Sequence, residues 1–393
     1  MLVINPKDNG LKIPIMIWGG DPEEGAMEQA LNLAKLPYAF LHIALMPDVH
    51  QGYGMPIGGV MATRDVIVPN AVGVDIGCGM RAVKTGFTAG EIETRDIKEI
   101  LGKTREFIPV GFNHHKEQQD SEIFNDAPDI PIIQAELEKA KYQLGTLGGG
   151  NHFLELQAGS DGFLWLMIHS GSRNFGYKIA RAYHGIAEML CEKWFSDIPH
   201  PDLSFLPMQE KIGHEYLEAM KYALTFAYKN RESMMVRFAG AVGDVLGRRG
   251  LWNAVAAGLD VHHNYAQIEN HFGANVIVHR KGAILARKGS RGIIPGSQGT
   301  ASYITEGLGN NLSFNSSSHG AGRRMGRKQA QRELNLKEQI KKLDDAGVIH
   351  GLRTQKELDE APDAYKDIEE VMKAQEDLCE IKVKLKPLGV VKA

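Results

Sequence analysis

Six side chains in this sequence have the types and settings that chemistry on a charged substrate needs. His152 follows the run GGGN, His169 ends the apolar stretch FLWLMIH at the turn SGSR, His263 belongs to DVHHNY, and His319 is wrapped in SSSHGAGR. Loops at the ends of apolar strands, with glycines permitting close approach, are where binding groups concentrate. One histidine so placed is more often a hydrogen-bonded turn or core residue; four together point to a site. VGVDIGCGM adds Asp75 and Cys78 at i and i+3 among Gly73, Gly77 and Gly79. That segment is too rich in glycine for a regular helix or strand, so acid and thiol are expected on one turn. A carboxylate, a thiolate and two or three imidazoles are metal-ligand types, and by softness alone cysteine with histidines selects zinc, with an open position for water. Others of the fifteen histidines, among them His184, His200, His214 and His350, lie in helical or polar surroundings and read as structural or solvent-facing.

Two further loops qualify. MPDVHQGYGMPIGG (46–59) presents Asp48 and His50 between glycines, either as groups that orient metal ligands or as a turn aspartate beside a histidine. GIIPGSQGTASY (292–303) has small hydroxyl residues and backbone N–H groups suited to a phosphate or a nucleobase edge, although plain turns would read the same way. No GK[ST] follows it and no GxGxxG opens a helix after a strand, so neither a P-loop nor a Rossmann nucleotide site is supported.

The elements that must carry these loops follow from hydrophobic spacing. Up to residue 110 the pattern gives short strands at 40–46, 57–62, 66–69 and 80–85 and one amphipathic helix near 23–36. A helix at 131–145 precedes the GGGN cluster, and 163–169 reads as an apolar strand. Helical spacing fills 176–250, a helical subregion between β-rich parts. Strands near 276–279 and 283–286, helices at 326–345 and 365–377, and an edge strand IKVKLK (381–386) complete the chain. With no repeat and no long linker, the expectation is one interwoven α+β domain over 1–393, with a mixed or antiparallel β core.

Bulk properties narrow the function. At 393 residues, 43% hydrophobic and 24% charged, the chain is globular, which excludes disorder and coiled coil. The 44 glycines are its one excess. A net charge of -3 hides a basic block: 280–332 holds ten Lys or Arg against Glu306 alone, a candidate phosphate-binding surface, with a solvated helix face as the plainer reading of its second half. Three distant cysteines form no disulfide framework, and neither a signal-peptide pattern nor an apolar run of membrane-spanning length is visible, so a cytoplasmic protein without membrane contact is expected.

The motifs MPDVHQGYGMPIGG, VGVDIGCGMR, LGTLGGGNHFLE, HSGSR, HHNY, RKGA, IIPGSQGTASY, SHGAGR, AYKDIEEVM and PLGVVKA, taken in order, resemble the signature segments of the RtcB family of RNA ligases from about residue 40 onward. The resemblance implies a GTP- and Mn2+-dependent enzyme that joins an RNA 3'-phosphate or 2',3'-cyclic phosphate end to a 5'-hydroxyl end, in tRNA splicing or RNA repair. It implies Asp75, Cys78, His152, His169 and His263 as ligands of two manganese ions bridged by Cys78, in place of zinc, and His319 as the guanylylated nucleophile. It further implies Asn151, Phe153, Glu155, Asn264, Ser297 and Lys392 around GTP, and Arg173 and Arg323 at RNA phosphates, with an activating protein as a candidate partner. The chain departs from the family at Gln298, where methionine is usual, and at Ser316–Ser318, where a cysteine often precedes the nucleophile; both leave a shifted substrate preference open. Two rival functions use the same residues: a zinc-dependent phosphodiester hydrolase, and a catalytically silent RNA-binding protein.

Overall fold

One residue, His263, separates a strand of one large sheet from a strand of the other. The computed structural model describes residues 1–6, 10–247 and 251–392; the end of the expected helical block, 248–250, lies outside them. The first sheet runs β1 (Leu2–Ile4), β2 (Ile15–Ile17), β3 (Ala39–Tyr53), β4 (Met55–Thr63), β12 (Ala274–Lys281), β11 (Asn264–His271). Only its β2–β3 pair is parallel. The second is antiparallel throughout, in the order β10 (Leu259–His262), β6 (Gly79–Thr88), β8 (Phe163–Ser170), β7 (Phe153–Gly159), β17 (Cys379–Val391), β15 (Ser302–Gly307), β14 (Arg291–Ile294). Two short ribbons pair β13 (Ala283–Leu285) with β16 (Ser316–Ser318) and β5 (Val66–Ile67) with β9 (Leu206–Pro207). The fold class is α+β, as the spacing predicts.

Helices cover the sheets with apolar stripes at helical period. In α1 (Glu24–Ala34), Ala26, Ala30, Leu33 and Ala34 face Ile43, Leu45 and Met61 of the first sheet. In α2 (Thr94–Phe107), Ile97, Ile100, Leu101 and Thr104 share one buried face, the three apolar ones packed with Leu154, Leu156, Leu166 and Ile168. Sequence spacing missed α2, because its narrow stripe is set among charges; a capping box from Glu93 and Asp96 starts it. The helical block holds α3 (Pro131–Gln143), α4 (Arg173–Lys193) and α5 (Lys211–Val245). The 35-residue α5 buries Tyr216, Met220 and Phe226 against α3 and α4, then Met234, Met235 and Phe238 beneath the second sheet.

Four expectations are corrected. IKVKLK lies in β17, which is central between β7 and β15 rather than an edge; alternation reports one wet face, a property that central antiparallel strands share. The loop expected at 46–59 is mostly strand, so Asp48 and His50 sit on β3 among register shifts. The helix expected at 326–345 is two, α6 (Arg327–Glu333) and α7 (Leu336–Asp345), because the Asn335 side chain caps a new start by accepting from Lys337 N and Glu338 N. The helix expected at 365–377 shortens to α8 (Ile368–Lys373).

Candidate active site

Antiparallel register gathers the site. His169, near the end of β8, pairs with Phe153 at the start of β7 and with Met80 near the start of β6. The residues preceding those starts, His152 and Cys78, therefore meet the end of β8. On the other side of β6, His262 pairs with Gly79, and the next residue, His263, donates its N–H to Cys78 O at 2.9 Å. Gly79 is required here, because a Cβ would strike the Val261 carbonyl. Asp75 and Cys78 do share a turn, closed by Cys78 N donating to Asp75 O at 3.1 Å.

Helix α5 braces this junction from below. Arg231 Nη1 donates to Gly77 O and Ser170 O, both at 2.9 Å, while Nη2 pairs with Asp260 Oδ1 at 2.6 Å. Asn230 Oδ1 accepts from Gly145 N and Thr146 N at 2.7 and 3.1 Å, fixing the approach to the glycine cluster. Neither residue carries a motif signal, since both look like polar positions of a helix.

The donor atoms converge in two groups that share one thiol: Asp75, Cys78 and His152, and Cys78, His169 and His263. Cys78 Sγ lies 3.4 Å from His152 Nε2 and 3.3 Å from His169 Nε2, and His152 Nε2 lies 3.2 Å from Asp75 Oδ2. His152 Nδ1 donates to Leu147 O and His169 Nδ1 to Asn151 O. A carbonyl only accepts, so each Nδ1 holds the ring proton and each Nε2 turns a lone pair toward the thiol. Burial, with neighbouring imidazoles, holds His169 and His263 well below the usual histidine range. Burial and the Asp75 charge push the Cys78 thiol well above its own. His263 Nδ1 is buried with no hydrogen-bond partner among the described residues. Lone pairs facing one another with too few protons between them need a cation, so the donor set fits metal ions, and a bound cation would deprotonate the thiol.

His319 stands beside this cluster, its ring centroid 4.7 Å from that of His263. It follows β16, which the β13 pairing and Gln375 hold: Ser318 N donates to Gln375 Oε1, and Gln375 Nε2 to Ser318 Oγ. Asp48 on β3 accepts from His319 Nδ1 at 2.6 Å, and from His319 N and Gly320 N at 3.0 and 3.3 Å, all at Oδ2. Nδ1 thereby carries the proton and Nε2 the lone pair. Gly322, at φ 73°, lets the chain pass against the Asp48 backbone, where a Cβ would collide. The Asp48 carboxylate therefore orients His319, and not the donor cluster.

Both features open into one cleft of about 1580 Å3, lined by Asp75, Cys78, His152, His169, His263 and His319 together. Asn151, Phe153, Asn264, Ser297, Lys392, Arg173 and Arg323 line it too. Glu155 does not: it is buried in β7 with Gln157 Nε2 donating to it at 2.7 Å, and burial pushes its carboxyl up to about 7. Asn264 spends its amide on the scaffold, donating to Asp75 O and accepting from Gly282 N. Arg173 donates to Thr146 Oγ1 and Gly111 O. Arg323 and Lys392 share Glu360, each at 3.1 Å. Gln298 Nε2 donates to Glu360 O at 2.8 Å, tying the PGSQGT loop to that carboxylate's segment, which a methionine could not do.

The basic block divides. Arg280 and Lys281, counted toward a phosphate surface, are buried: Arg280 pairs with Glu269, and Lys281 Nζ donates to Tyr53 O and Asn70 O. Arg287, Lys288 and Arg291 are exposed away from the cleft, whereas Arg324, Arg327 and Lys328 line it. Among the described residues no helix is long and apolar enough to cross a membrane.

Comparison with known proteins agrees with this geometry. Residues 29–129 and 120–393 match the family model described as tRNA-splicing ligase RtcB. The chain is 38% identical to the RNA-splicing ligase RtcB of Escherichia coli K12, covering 96% of this chain and 97% of that one. It is 32% identical to the tRNA-splicing ligase RtcB of Nanoarchaeum equitans over 98% of this chain and 97% of the other. For the tRNA-splicing ligase RtcB of Thermococcus kodakarensis the figures are 30%, 98% and 96%. With its ordered motifs, its shared-thiol donor cluster and these full-length matches, the chain belongs to the RtcB family of RNA ligases.

Proposed function

We propose that the protein is a GTP- and Mn2+-dependent RNA ligase that joins 3'-phosphate or 2',3'-cyclic phosphate ends to 5'-hydroxyl ends through a guanylylated His319. The observation that carries this reading is the Asp48–His319 contact beside the shared-thiol cluster: a buried carboxylate holds Nδ1–H, so Nε2 is the nucleophile. Asp75, Cys78 and His152 would hold one metal ion, and Cys78, His169 and His263 a second. Such ions, when bound, neutralise phosphate charge and polarise the phosphorus under attack.

His319 Nε2 attacks the α-phosphorus of GTP; the N–P bond forms as the bond to the β-phosphate oxygen breaks and pyrophosphate leaves. Asp48 keeps the ring oriented and stabilises its positive charge. An oxygen of the RNA 3'-phosphate then takes the guanylate from His319, giving RNA(3')pp(5')G. The 5'-hydroxyl attacks the 3'-phosphorus and GMP departs, with water opening a cyclic phosphate beforehand. Arg173, Arg323 and Lys392 offer cationic groups along the cleft for the phosphates and the guanylate.

Incubation with α-labelled GTP and Mn2+ is expected to label the protein covalently, and His319→Ala to abolish the label. A label that survives in the variant rejects this nucleophile. The donor softness of Cys78 with three imidazoles keeps one rival, a zinc-dependent phosphodiester hydrolase. Cleavage of a cyclic phosphate without GTP, and no joining under either metal, would favour it.

A further inference from the structure

Three aromatic rings at the cleft mouth are left in water. Of the eight aromatic side chains exposed among the described residues, Tyr53, Phe112 and Tyr177 line the cleft, at 70%, 101% and 44% exposure. Their backbone is nevertheless held. Gly111 N donates to Gly148 O at 2.9 Å, Arg173 Nη2 donates to Gly111 O at 3.2 Å, and Asn113 N closes the turn on Val110 O at 3.2 Å. Phe112 is thus mounted on a hydrogen-bonded turn to which Arg173 donates. Tyr177 lies in the first turns of α4, which begins at Arg173, and both residues line the cleft. Tyr53 ends β3, and its carbonyl accepts from the buried Lys281 ammonium.

Cations line the same cleft. Arg324, Arg327 and Lys328 are exposed and line the cleft with Arg173. Exposed rings and cations lining one cleft are what unpaired nucleic acid uses: bases stack on the rings while phosphates meet the charges. An aromatic ring has two side-chain torsions, so little freedom is lost when a base settles on it. A protein partner would call for a continuous apolar patch, whereas the cleft these rings line also holds exposed guanidinium and ammonium groups.

We propose that Phe112, Tyr177 and Tyr53 form a base-stacking platform for unpaired nucleotides flanking the RNA ends, and that the protein selects single-stranded over fully paired termini through it. The inference rests on the ligase reading for the identity of the strand. Every base has a π-face, so the platform discriminates pairing state and tolerates sequence. Bases already stacked in a duplex gain nothing from it.

The test measures Kd by fluorescence anisotropy, without GTP, for a labelled single-stranded RNA ending in a 3'-phosphate, and in parallel measures covalent labelling by GTP. Phe112→Ala and Tyr177→Ala are each expected to weaken binding about 5- to 150-fold, with covalent labelling retained as evidence of an intact fold. Phe112→Trp should restore affinity and Phe112→Leu should not. RNA with abasic sites next to its end should bind the parent as weakly as intact RNA binds the variant. Equal affinity of parent and alanine variants, or rescue by leucine, overturns the platform and leaves the ligase reading untouched. A parent that takes no GMP label but loses RNA affinity with Phe112→Ala overturns the ligase reading and retains the platform.

Discussion

Glu155 couples the stability of this protein to pH, and Glu155→Gln isolates the coupling. Its carboxyl is buried in β7, held by Gln157 Nε2, and raised from 4.5 to about 7, chiefly by burial. An acid with a raised folded pKa keeps its proton in the folded state between the two values. Folding stability therefore falls as pH climbs from the unfolded value through about 7 and stays lower above it. A rise of roughly 2.5 units at 1.36 kcal/mol per unit amounts to ~3.4 kcal/mol at pH 8.5, and under ~1 kcal/mol at pH 5. Glutamine keeps the acceptor for Gln157 and never ionises. The variant is thus expected to exceed the parent by ~3.4 kcal/mol at pH 8.5. An unfolding entropy of roughly 2.1 cal/mol/K per residue makes this ~4 °C in Tm, narrowing to about 1 °C at pH 5. Thermal unfolding of both proteins at the two pH values reads the effect. A Tm difference that is the same at pH 5 and pH 8.5 refutes the buried, proton-holding carboxyl.

Asp48→Ala removes the group that aims His319 and should slow covalent labelling by GTP on the order of 10²- to 10⁴-fold with circular dichroism unchanged; an unchanged rate would show that Nε2 is aimed without it. Glu269→Gln strands the buried Arg280 guanidinium and should cost about 3–5 kcal/mol in urea unfolding at pH 7. The Glu269 carboxyl is lowered to about 2 despite its burial, by His271 and Arg280. Its contribution is therefore present above the unfolded value and is lost as pH falls toward 2, and a loss below about 1 kcal/mol at pH 7 would contradict the pairing. Cys78→Ala should weaken Mn2+ at both sites, and His152→Ala at one, in titrations followed by electron paramagnetic resonance; one site surviving intact in Cys78→Ala would exclude a shared thiol.

The β architecture was legible where apolar runs were bounded by glycine, as at β4 and β8. It was misread where the pattern admits two tertiary settings. Lys382, Lys384 and Lys386 alternate with apolar residues in β17 whether the strand is an edge or one face of a central strand is wet, and only pairing with β7 and β15 decides. The narrow stripe of α2 escaped notice because its four buried positions are separated by charges. In the site, Cys78 and the four histidines were visible as residue types in glycine-punctuated loops. Glu360, Arg231 and Asn230 were not, because a polar residue on a helix or short turn has the same local pattern whether it faces water or braces a loop.

By itself, the sequence determined the donor types, the turn that carries Asp75 and Cys78, and the glycines that let backbone approach backbone, since these depend on side-chain chemistry and local sterics. Tertiary structure decided the rest. It brought Asp48 to His319 across 271 residues, fixing which imidazole nitrogen is free. It separated the adjacent His262 and His263, sending the first to Arg231 and the second to the cluster. It also took Arg280 and Lys281 out of the basic surface by burying them. Charge and hydrogen-bonding capacity belong to residues, but proton position, burial and partner are set by long-range contacts, and in this protein the chemistry turns on those three.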